Sequence, residues 1–336
     1  MEQAWQIKDG FGLDHLQLAA VAPQEPGPGQ VRVQVLGQAL NYRDWLMVTG
    51  RYNPKQPLPL VPLSDGAGVI DAVGDGVSQW QVGDRVLTCF AQDWLDGQPT
   101  RESLRSTLGG PRPGTLQTHM VLPEHGVVRA PAGWSHAEAA TLTCAGLTAF
   151  SALVVQGGLQ AGQHVVVQGS GGVSVFALQI AKALGAKVLA TTSSHAKAEQ
   201  LRALGAEVVV NYREQPDWGK AAFQWAQGGV DHVVEVGGAE TLQQSLQAVR
   251  PGATVSVIGM LSGSSSQLNL LPLLMQNVRL QGVLVGHRAG LLALVELVDR
   301  CGLRPVVDQS FDFAQAPEAF DRLHSGQHIG KVVLER

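Results

Sequence analysis

Between residue 123 and about residue 301 the chain alternates short apolar runs with helical patterns of about ten or more residues. The runs at 165–168, 187–191, 207–210, 231–236, 254–258 and 279–285 are rich in Val, Leu and Ala, which suits strands buried on both faces of a parallel sheet. Phe176 to Leu184 gives the clearest helical period between them, and the six-strand alternation predicts a doubly wound α/β sheet. The first 122 residues have another rhythm. Val31-Arg32-Val33-Gln34-Val35 alternates, Gly66 to Val73 is small and apolar, and a further run covers Asp84 to Thr88, as short antiparallel strands between turns should. Pro23, Pro26 and Pro28 punctuate the loop ahead of these strands, and Pro54, Pro57, Pro59 and Pro62 stiffen the connection after Tyr52. Residues 91–115, rich in Gly, Pro, Arg and Ser, predict a long irregular loop, a kind of segment that is either mobile or lies over a site. After a helix predicted near 289–301, Val306 to Phe311 and Lys331 to Leu334 read as strands with no helix of the same kind between them. The expected organisation is a β-rich domain of residues 1–122, completed by 302–336, and an α/β domain of residues 123–301.

Composition narrows the partners. With 336 residues, 45% of them hydrophobic and 15% charged, the chain is globular and long enough for two cores. A net charge of −4 gives no basic field for nucleic acid or an anionic membrane surface, so a small-molecule substrate is expected. Cys89, Cys144 and Cys301 are odd in number and far apart, which offers neither a disulfide framework nor a clustered zinc site and suits a reducing compartment. Met1-Glu2-Gln3-Ala4-Trp5-Gln6 is no basic-then-apolar leader, and no apolar run reads as long enough to span a bilayer. A cytoplasmic location is therefore expected. The sequence shows no internal repeat and no low-complexity tract.

The chemistry is concentrated after the first strand of the α/β half. Val165-Val166-Val167-Gln168 runs into Gly169, Ser170, Gly171, Gly172, Val173 and Ser174, and then into the helical pattern. Glycines there permit a sharp turn, and the helix that follows aims unpaired amides at a pyrophosphate. The second strand follows about 20 residues after the first, as a βαβ unit requires. Ser174 replaces the third glycine of the fingerprint and is small enough for close helix–strand packing. A glycine-rich turn that binds nothing is the alternative. After the second strand come Thr192, Ser193, Ser194, His195 and Lys197, with no carboxylate to read a free ribose 2′-hydroxyl. Ser193, Ser194 and Lys197 are donors for a 2′-phosphate, so NADP(H) is expected in preference to NAD(H). Lys197 and Arg213 read equally well as solvated surface charges.

Five segments in order, Asn41-Tyr42-Arg43-Asp44, Pro62 to Gly76, Val82-Gly83-Asp84-Arg85-Val86, Leu142 to Ala152 and the nucleotide loop, resemble the medium-chain dehydrogenase/reductase superfamily across nearly the whole chain. The resemblance implies a GroES-like β-rich catalytic domain beside a Rossmann domain, with the active cleft between them. It also implies adenine-side contacts from Tyr212 and Arg213, and a nicotinamide half lined by Val236 and Gly237, Ile258 and Gly259, and Leu284 and Val285. Zinc alcohol dehydrogenases of that superfamily hold a catalytic metal with Cys, His, a nearby Glu and a second Cys. On those motif positions stand Asn41, Ser64, Asp65 and Cys144, a poor donor set for zinc. The four-cysteine structural lobe is missing, with only Cys89 near its place. The chain is thus similar to the zinc-independent branch of quinone oxidoreductase-like and enoyl reductase-like proteins, and no zinc is expected. Cys144 reads as a small buried hydrophobe at a helix start, with a relic ligand or a reactive thiol as alternatives.

Without a metal to polarise a carbonyl, hydride transfer from NADPH suits an acceptor already activated, such as a quinone or an alkene conjugated to a carbonyl. Tyr52 occupies a position resembling that of the tyrosine proton donor of related enoyl reductases, though a loop-packing phenol fits as well. The resemblance places Asn41 and Tyr42 in the cleft. Arg43 is a further donor, and Ser64 is expected to help hold substrate. Asp44 and Asp65 are expected to orient donors, and His119 and His287 to be structural. The rival activities are a secondary alcohol or ketone oxidoreductase and an NADPH-binding sensor with little turnover. Relatives pair through the last Rossmann strand, here Arg279 to Val285, so a homodimer is expected. Ala91 to Thr115 and Leu261 to Leu274 are expected to shape the pocket.

Overall fold

Along Gln30–Ala39 every second residue of Val31, Val33 and Val35 is fully buried, and this long strand organises the N-terminal half. In the computed structural model, which describes residues 1–265 and 267–336, it is the centre of a seven-stranded sheet. The sheet runs Val307–Asp312, Lys331–Glu335, Gln30–Ala39, Asp65–Val73, Arg85–Thr88 and Val127–Arg129, with His119–Pro123 also pairing Gln30–Ala39. Glu2–Ile7 and Leu16–Val21 form a separate antiparallel pair. Leu40, Met47, Leu63, Leu116 and Phe320 belong to one apolar cluster, and Val31, Val33, Val35, Ile70 and Val86 to another.

The chain divides into two compact units, Met1–Leu147 with Gly286–Arg336, and Thr148–Val285. The breaks therefore lie later and earlier than the expected 122/123 and 301/302. The strand Val127–Arg129 pairs with Arg85–Thr88, and the helix His136–Ala140 packs on the GroES-like sheet so closely that a Cβ on Gly37 would stand 2.3 Å from the Ala137 nitrogen. The helix Arg288–Cys301 likewise packs against Val127–Arg129. None of these contacts is local in sequence, which is why periodicity misplaced the boundaries.

One other expectation needs correction. Val307–Asp312 and Lys331–Glu335 pair in parallel, and the crossover that such pairing demands is the helix Ala316–His324. Residues 91–115 form the expected long irregular segment, and it is anchored: Ala91 bridges Thr107, Arg101–Leu104 is helical, and Trp94, Ser103, Ser106 and Leu108 are buried. Among the described residues one helix, His136–Val155, has the length and apolar composition to cross a membrane, and 78% of its apolar window is buried inside the protein. It is built as a core helix, apolar all round because protein surrounds it.

The second unit is a six-stranded parallel sheet in the order Val208–Asn211, Lys187–Thr192, His164–Gln168, Val230–Glu235, Val249–Val257 and Arg279–Gly282. Val165, Val166, Val167, Val233, Val234 and Val255 are completely buried, as expected for strands covered by helices on both faces. Sequence order reverses between His164–Gln168 and Val230–Glu235. Doubly wound sheets bind ligands at such a reversal, outside the carboxyl ends of the strands.

Candidate functional site

At that switch point the loop after His164–Gln168 turns through Gly169, whose φ is +74°, a conformation natural to glycine. Its N–H bonds the Thr191 carbonyl at 2.8 Å. Gly171 is the N-cap of the twelve-residue helix Gly172–Ala183 and supplies no side-chain cap. A Cβ built on Gly171 would meet nothing within 4 Å. The helix thus begins with unpaired amides facing open space, an arrangement that fits a pyrophosphate. Ser174, at the fingerprint's third position, is buried and donates to the Gln168 carbonyl at 2.6 Å. The serine therefore ties helix to strand where a glycine would only permit their approach. Gly172 and Val173 form the first helical turn, and Ser170 is buried beside them.

The neighbouring strand ends are organised by a buried pair that periodicity did not single out. Glu235 is fully buried, and its Oε1 accepts from the Gly237 and Gly238 amides at 2.8 and 2.9 Å and from Thr241 Oγ1 at 2.6 Å. Its Oε2 accepts from Gln168 Nε2 at 2.7 Å and from Ser245 Oγ. Gln168 Oε1 in turn accepts from Val236 and Gly237 at 3.2 and 3.1 Å. The Val236 and Gly237 amides are consequently satisfied within the protein, and these residues are left to contribute surface rather than N–H donors. Ile258 donates to the Glu235 carbonyl at 2.9 Å. A Cβ on Gly259 would stand 2.3 Å from the Val236 oxygen, so only glycine lets the two turns touch. The last strand ends at Gly282, leaving Leu284 exposed and Val285 buried at φ +52°. A β-branched residue in that region is strained, and such strain concentrates at functional positions.

On the adenosine side, Thr192 ends its strand and accepts from Ser194 N at 3.3 Å, and Ser194 caps the helix His195–Ala203 by accepting from Lys197 N at 3.4 Å. Capping uses an oxygen lone pair, so the Ser194 hydroxyl proton remains a donor. Ser193 and Lys197 are half-buried and Tyr212 is exposed. The carboxylate absent from the second strand's end enters from the next turn, where Glu214 meets His195 Nε2 at 2.6 Å.

The GroES-like unit brings together a second polar group. Ala39 pairs with both Asp65 and Val333. Three strand ends therefore meet at one edge of the sheet, with Asn41 just beyond one and Asp65 and Lys331 beginning the others. Lys331 is only 3% exposed. Its ammonium donates to the Leu40 carbonyl at 2.6 Å and to Asn41 Oδ1, and lies 3.7 Å from Asp65 Oδ2. Ser64, fully buried, donates to Asp65 Oδ1 at 2.7 Å, so the hydroxyl expected to hold substrate is spent inside the cluster. Asp44 Oδ2 accepts from the Asn41 backbone N–H at 2.9 Å. Burial pushes its carboxyl up to about 6 against the pull of Arg43, and burial also raises Asp65 against the pull of Lys331.

Arg43 is more committed than its sequence position suggested. It donates to the Leu108 and Gly110 carbonyls at 3.0 and 3.2 Å and to Asp44 at 3.3 Å. The guanidinium carbon lies 5.2 Å from the Tyr52 ring centroid and 5.1 Å from that of Phe90. It clamps the irregular segment 91–115 rather than presenting a free fork. Tyr52 and Tyr42 are exposed, at 46% and 39%. His287 caps the helix Arg288–Cys301 through Nδ1, which accepts from Gly290 N at 2.9 Å. His119 lies near Glu2 and Asp71 on the sheet.

The positions that carry zinc ligands in related enzymes do not fit that metal here. A divalent cation would have to approach a buried ammonium, compete with it for Asn41 Oδ1 and Asp65, and draw on a thiol held protonated. Burial, followed by the charge of Asp65, pushes the Cys144 thiol up, whereas zinc binds thiolate. Among the described residues no group of three His, Cys, Asp or Glu side chains is placed to hold a metal ion. Lys331, the residue that changes this chemistry most, was read from sequence only as the first residue of a strand. A lysine directly ahead of Val332-Val333-Leu334 was the available signal.

Comparison with known proteins gives consistent relatives. Residues 27–132 match the alcohol dehydrogenase GroES-like domain, and residues 172–300 match the zinc-binding dehydrogenase family. A zinc-type alcohol dehydrogenase-like protein of Schizosaccharomyces pombe is 40% identical over 320 residues, covering 93% of this chain and 92% of that one. A solved structure from Sinorhizobium meliloti 1021, described as a candidate alcohol dehydrogenase, is 44% identical with a TM-score of 0.93 over 100% of this chain and 98% of that one. A quinone oxidoreductase from Pseudomonas syringae pv. Tomato DC3000 superposes with a TM-score of 0.84 at 28% identity, with 100% of each chain covered.

Proposed function

Because the chain belongs to the medium-chain dehydrogenase/reductase superfamily and is an oxidoreductase of the alcohol dehydrogenase type, we propose that it uses NADPH to reduce quinones or α,β-unsaturated carbonyls without zinc. The observation that carries this reading is the Asn41–Ser64–Asp65–Lys331 cluster, a net of organic hydrogen bonds where a metal would need bare donors. When bound, the dihydronicotinamide supplies a hydride. The chain's own task is then to hold the acceptor, donate to its developing oxygen charge and deliver a proton.

Asn41 contributes an amide donor. Tyr52 has the exposed phenol suited to proton delivery, and the Arg43 guanidinium lies over its ring. The glycine loop and the amides of the helix Gly172–Ala183 would hold the pyrophosphate. Ser193, the Ser194 hydroxyl, Lys197 and Tyr212 would serve the adenosine phosphate. Engagement of Glu214 by His195 supports NADPH over NADH, because that carboxylate already has a partner.

A panel of quinones, enals, enones and ketones, run with NADPH and NADH before and after chelation, tests the whole reading. Turnover of quinones or enones that survives metal removal is expected, with kcat on enones about 100-fold lower in Tyr52→Phe. Response to ketones alone, or turnover restored only by added zinc, would overturn it. The second reading, a secondary alcohol or ketone oxidoreductase, draws its support from the alcohol dehydrogenase names of the relatives. The third, a sensor, requires cofactor binding without oxidation across the panel.

We also assign the protein to the cytoplasm and to a homodimer formed by the edge strand Arg279–Gly282. Leu270, Leu271, Leu274, Met275 and Leu284 are all exposed near it in sequence, an apolar set suited to coverage by a second copy. Three of these, Leu270, Leu271 and Leu274, belong to the segment 261–274 that was expected to shape the pocket, of which residue 266 lies outside the described residues. Sedimentation velocity at micromolar concentration should give twice the 35.5 kDa chain mass, and a monomer would refute the assignment.

A further inference from the structure

We infer that His195 is a specificity-determining residue for the cofactor: it latches the Glu214 carboxylate at the adenosine subsite and so keeps an acid there from turning the preference toward a free ribose 2′-hydroxyl. The inference rests on the NADPH reading above and names the residue that sustains it.

No carboxylate ends the second Rossmann strand, but the parallel register delivers one from the next turn. Asn211 lies beside Thr192, and the Tyr212 N–H donates to the Thr192 carbonyl at 3.0 Å. Asn211 then closes the turn, its side-chain oxygen accepting from Arg213 N at 3.2 Å and its carbonyl from Glu214 N at 3.1 Å. Glu214 is thereby set beside the first turn of the helix His195–Ala203, next to the strand end where a doubly wound fold reads the ribose 2′ group. Left to itself, a carboxylate at that place accepts from a 2′-hydroxyl and repels a 2′-phosphate. Here its Oε1 meets His195 Nε2 at 2.6 Å. That nitrogen carries a proton in the imidazolium and in one neutral tautomer, so the acid is engaged by a donor before any ribose arrives. Arg202, which lines the same groove as His195 and Glu214, is paired with Glu199. Both members of the His195–Glu214 pair are exposed, at 79% and 61%, and pairs so exposed add little to folding stability. What the pair changes is the charge that a ligand meets.

The test is calorimetric titration of the full-length protein with adenosine 2′,5′-bisphosphate and with adenosine 5′-monophosphate. The two probes differ only in the 2′-phosphate and need neither a nicotinamide nor a hydride acceptor. The wild type is expected to bind the bisphosphate at least about 10-fold more tightly. His195→Ala should narrow that preference by about 10-fold, with weaker binding of the bisphosphate and unchanged or tighter binding of the monophosphate, because one unscreened charge then faces the phosphate. Glu214→Gln should keep the preference. Added to His195→Ala, it should restore the preference to within about twofold of Glu214→Gln alone.

That recovery separates a latch on Glu214 from a direct contact with the phosphate. If His195 were itself the phosphate's ligand, the double variant would stay as indifferent to the 2′-phosphate as His195→Ala. A wild type that binds both probes equally overturns the inference together with the NADPH reading. A wild-type preference that persists unchanged in His195→Ala, or a loss that Glu214→Gln does not rescue, overturns the inference alone.

Discussion

Gly171→Asp is expected to weaken binding of NADPH and NADH by about 100-fold or more, about 2.7 kcal/mol, while the protein stays as stable as before or becomes slightly more so. The two effects have one cause. Gly171 occupies the N-cap of Gly172–Ala183 without a side-chain cap, and aspartate is among the best residues for that position because its carboxylate accepts from the first-turn amides. In the variant the carboxylate would take those donors and set a negative charge against the helix terminus, stabilising the helix by about 1 kcal/mol. A pyrophosphate would then lose its donors and meet a like charge. The backbone raises no objection, since Gly171 has φ −74° and a Cβ there meets nothing within 4 Å. Gly171→Ala should therefore fold and bind far more nearly as the parent does. Fluorescence titration with each cofactor beside a thermal melt checks both halves. Unaltered affinity in a folded Gly171→Asp protein would mean that the pyrophosphate is held elsewhere.

This loop was legible because its chemistry is local. Gly169, Gly171 and Gly172 follow one another on a strand–turn–helix, and all six strands of the Rossmann unit were visible as separate apolar runs. What stayed hidden depends on distant pairing. Lys331 and Asn41 are far apart in the chain, and only the antiparallel register of two strands places them together. Arg43 looked available because nothing near it in sequence reveals that Leu108 and Gly110 supply its acceptors. Ser64 adjoins Asp65, yet its commitment to that carboxylate depends on burial, which the sequence of a short polar turn does not disclose. The unit boundaries were missed for a similar reason, since Gly37 looks like any strand glycine until the helix beginning at His136 is found pressed against it.

Glu235→Ala is expected to cost about 3–5 kcal/mol of stability, because five donors converge on a buried carboxylate and would lose it together, with the Gly238 N–H and the Ser245 hydroxyl keeping no second acceptor in the network. Glu235→Gln discriminates how the network works. On the Oε1 side a new amide nitrogen would face the Gly237 and Gly238 N–H groups, neither of which can reverse. On the Oε2 side it would face Ser245, whose hydroxyl can turn and accept, and Gln168 Nε2. Gln168 cannot flip without withdrawing its Oε1 from Val236 and Gly237. The amide must therefore settle on the Oε2 side with one donor–donor clash, for about 1–3 kcal/mol. Chemical denaturation followed by the m-value and midpoint measures both variants. In Glu235→Gln the damage should concentrate at Val236 and Gly237, so cofactor affinity is expected to fall in the folded variant although neither residue keeps an amide free for the ligand. A Glu235→Ala protein as stable as the parent would show that the convergence of these donors does not hold the switch-point turns in place.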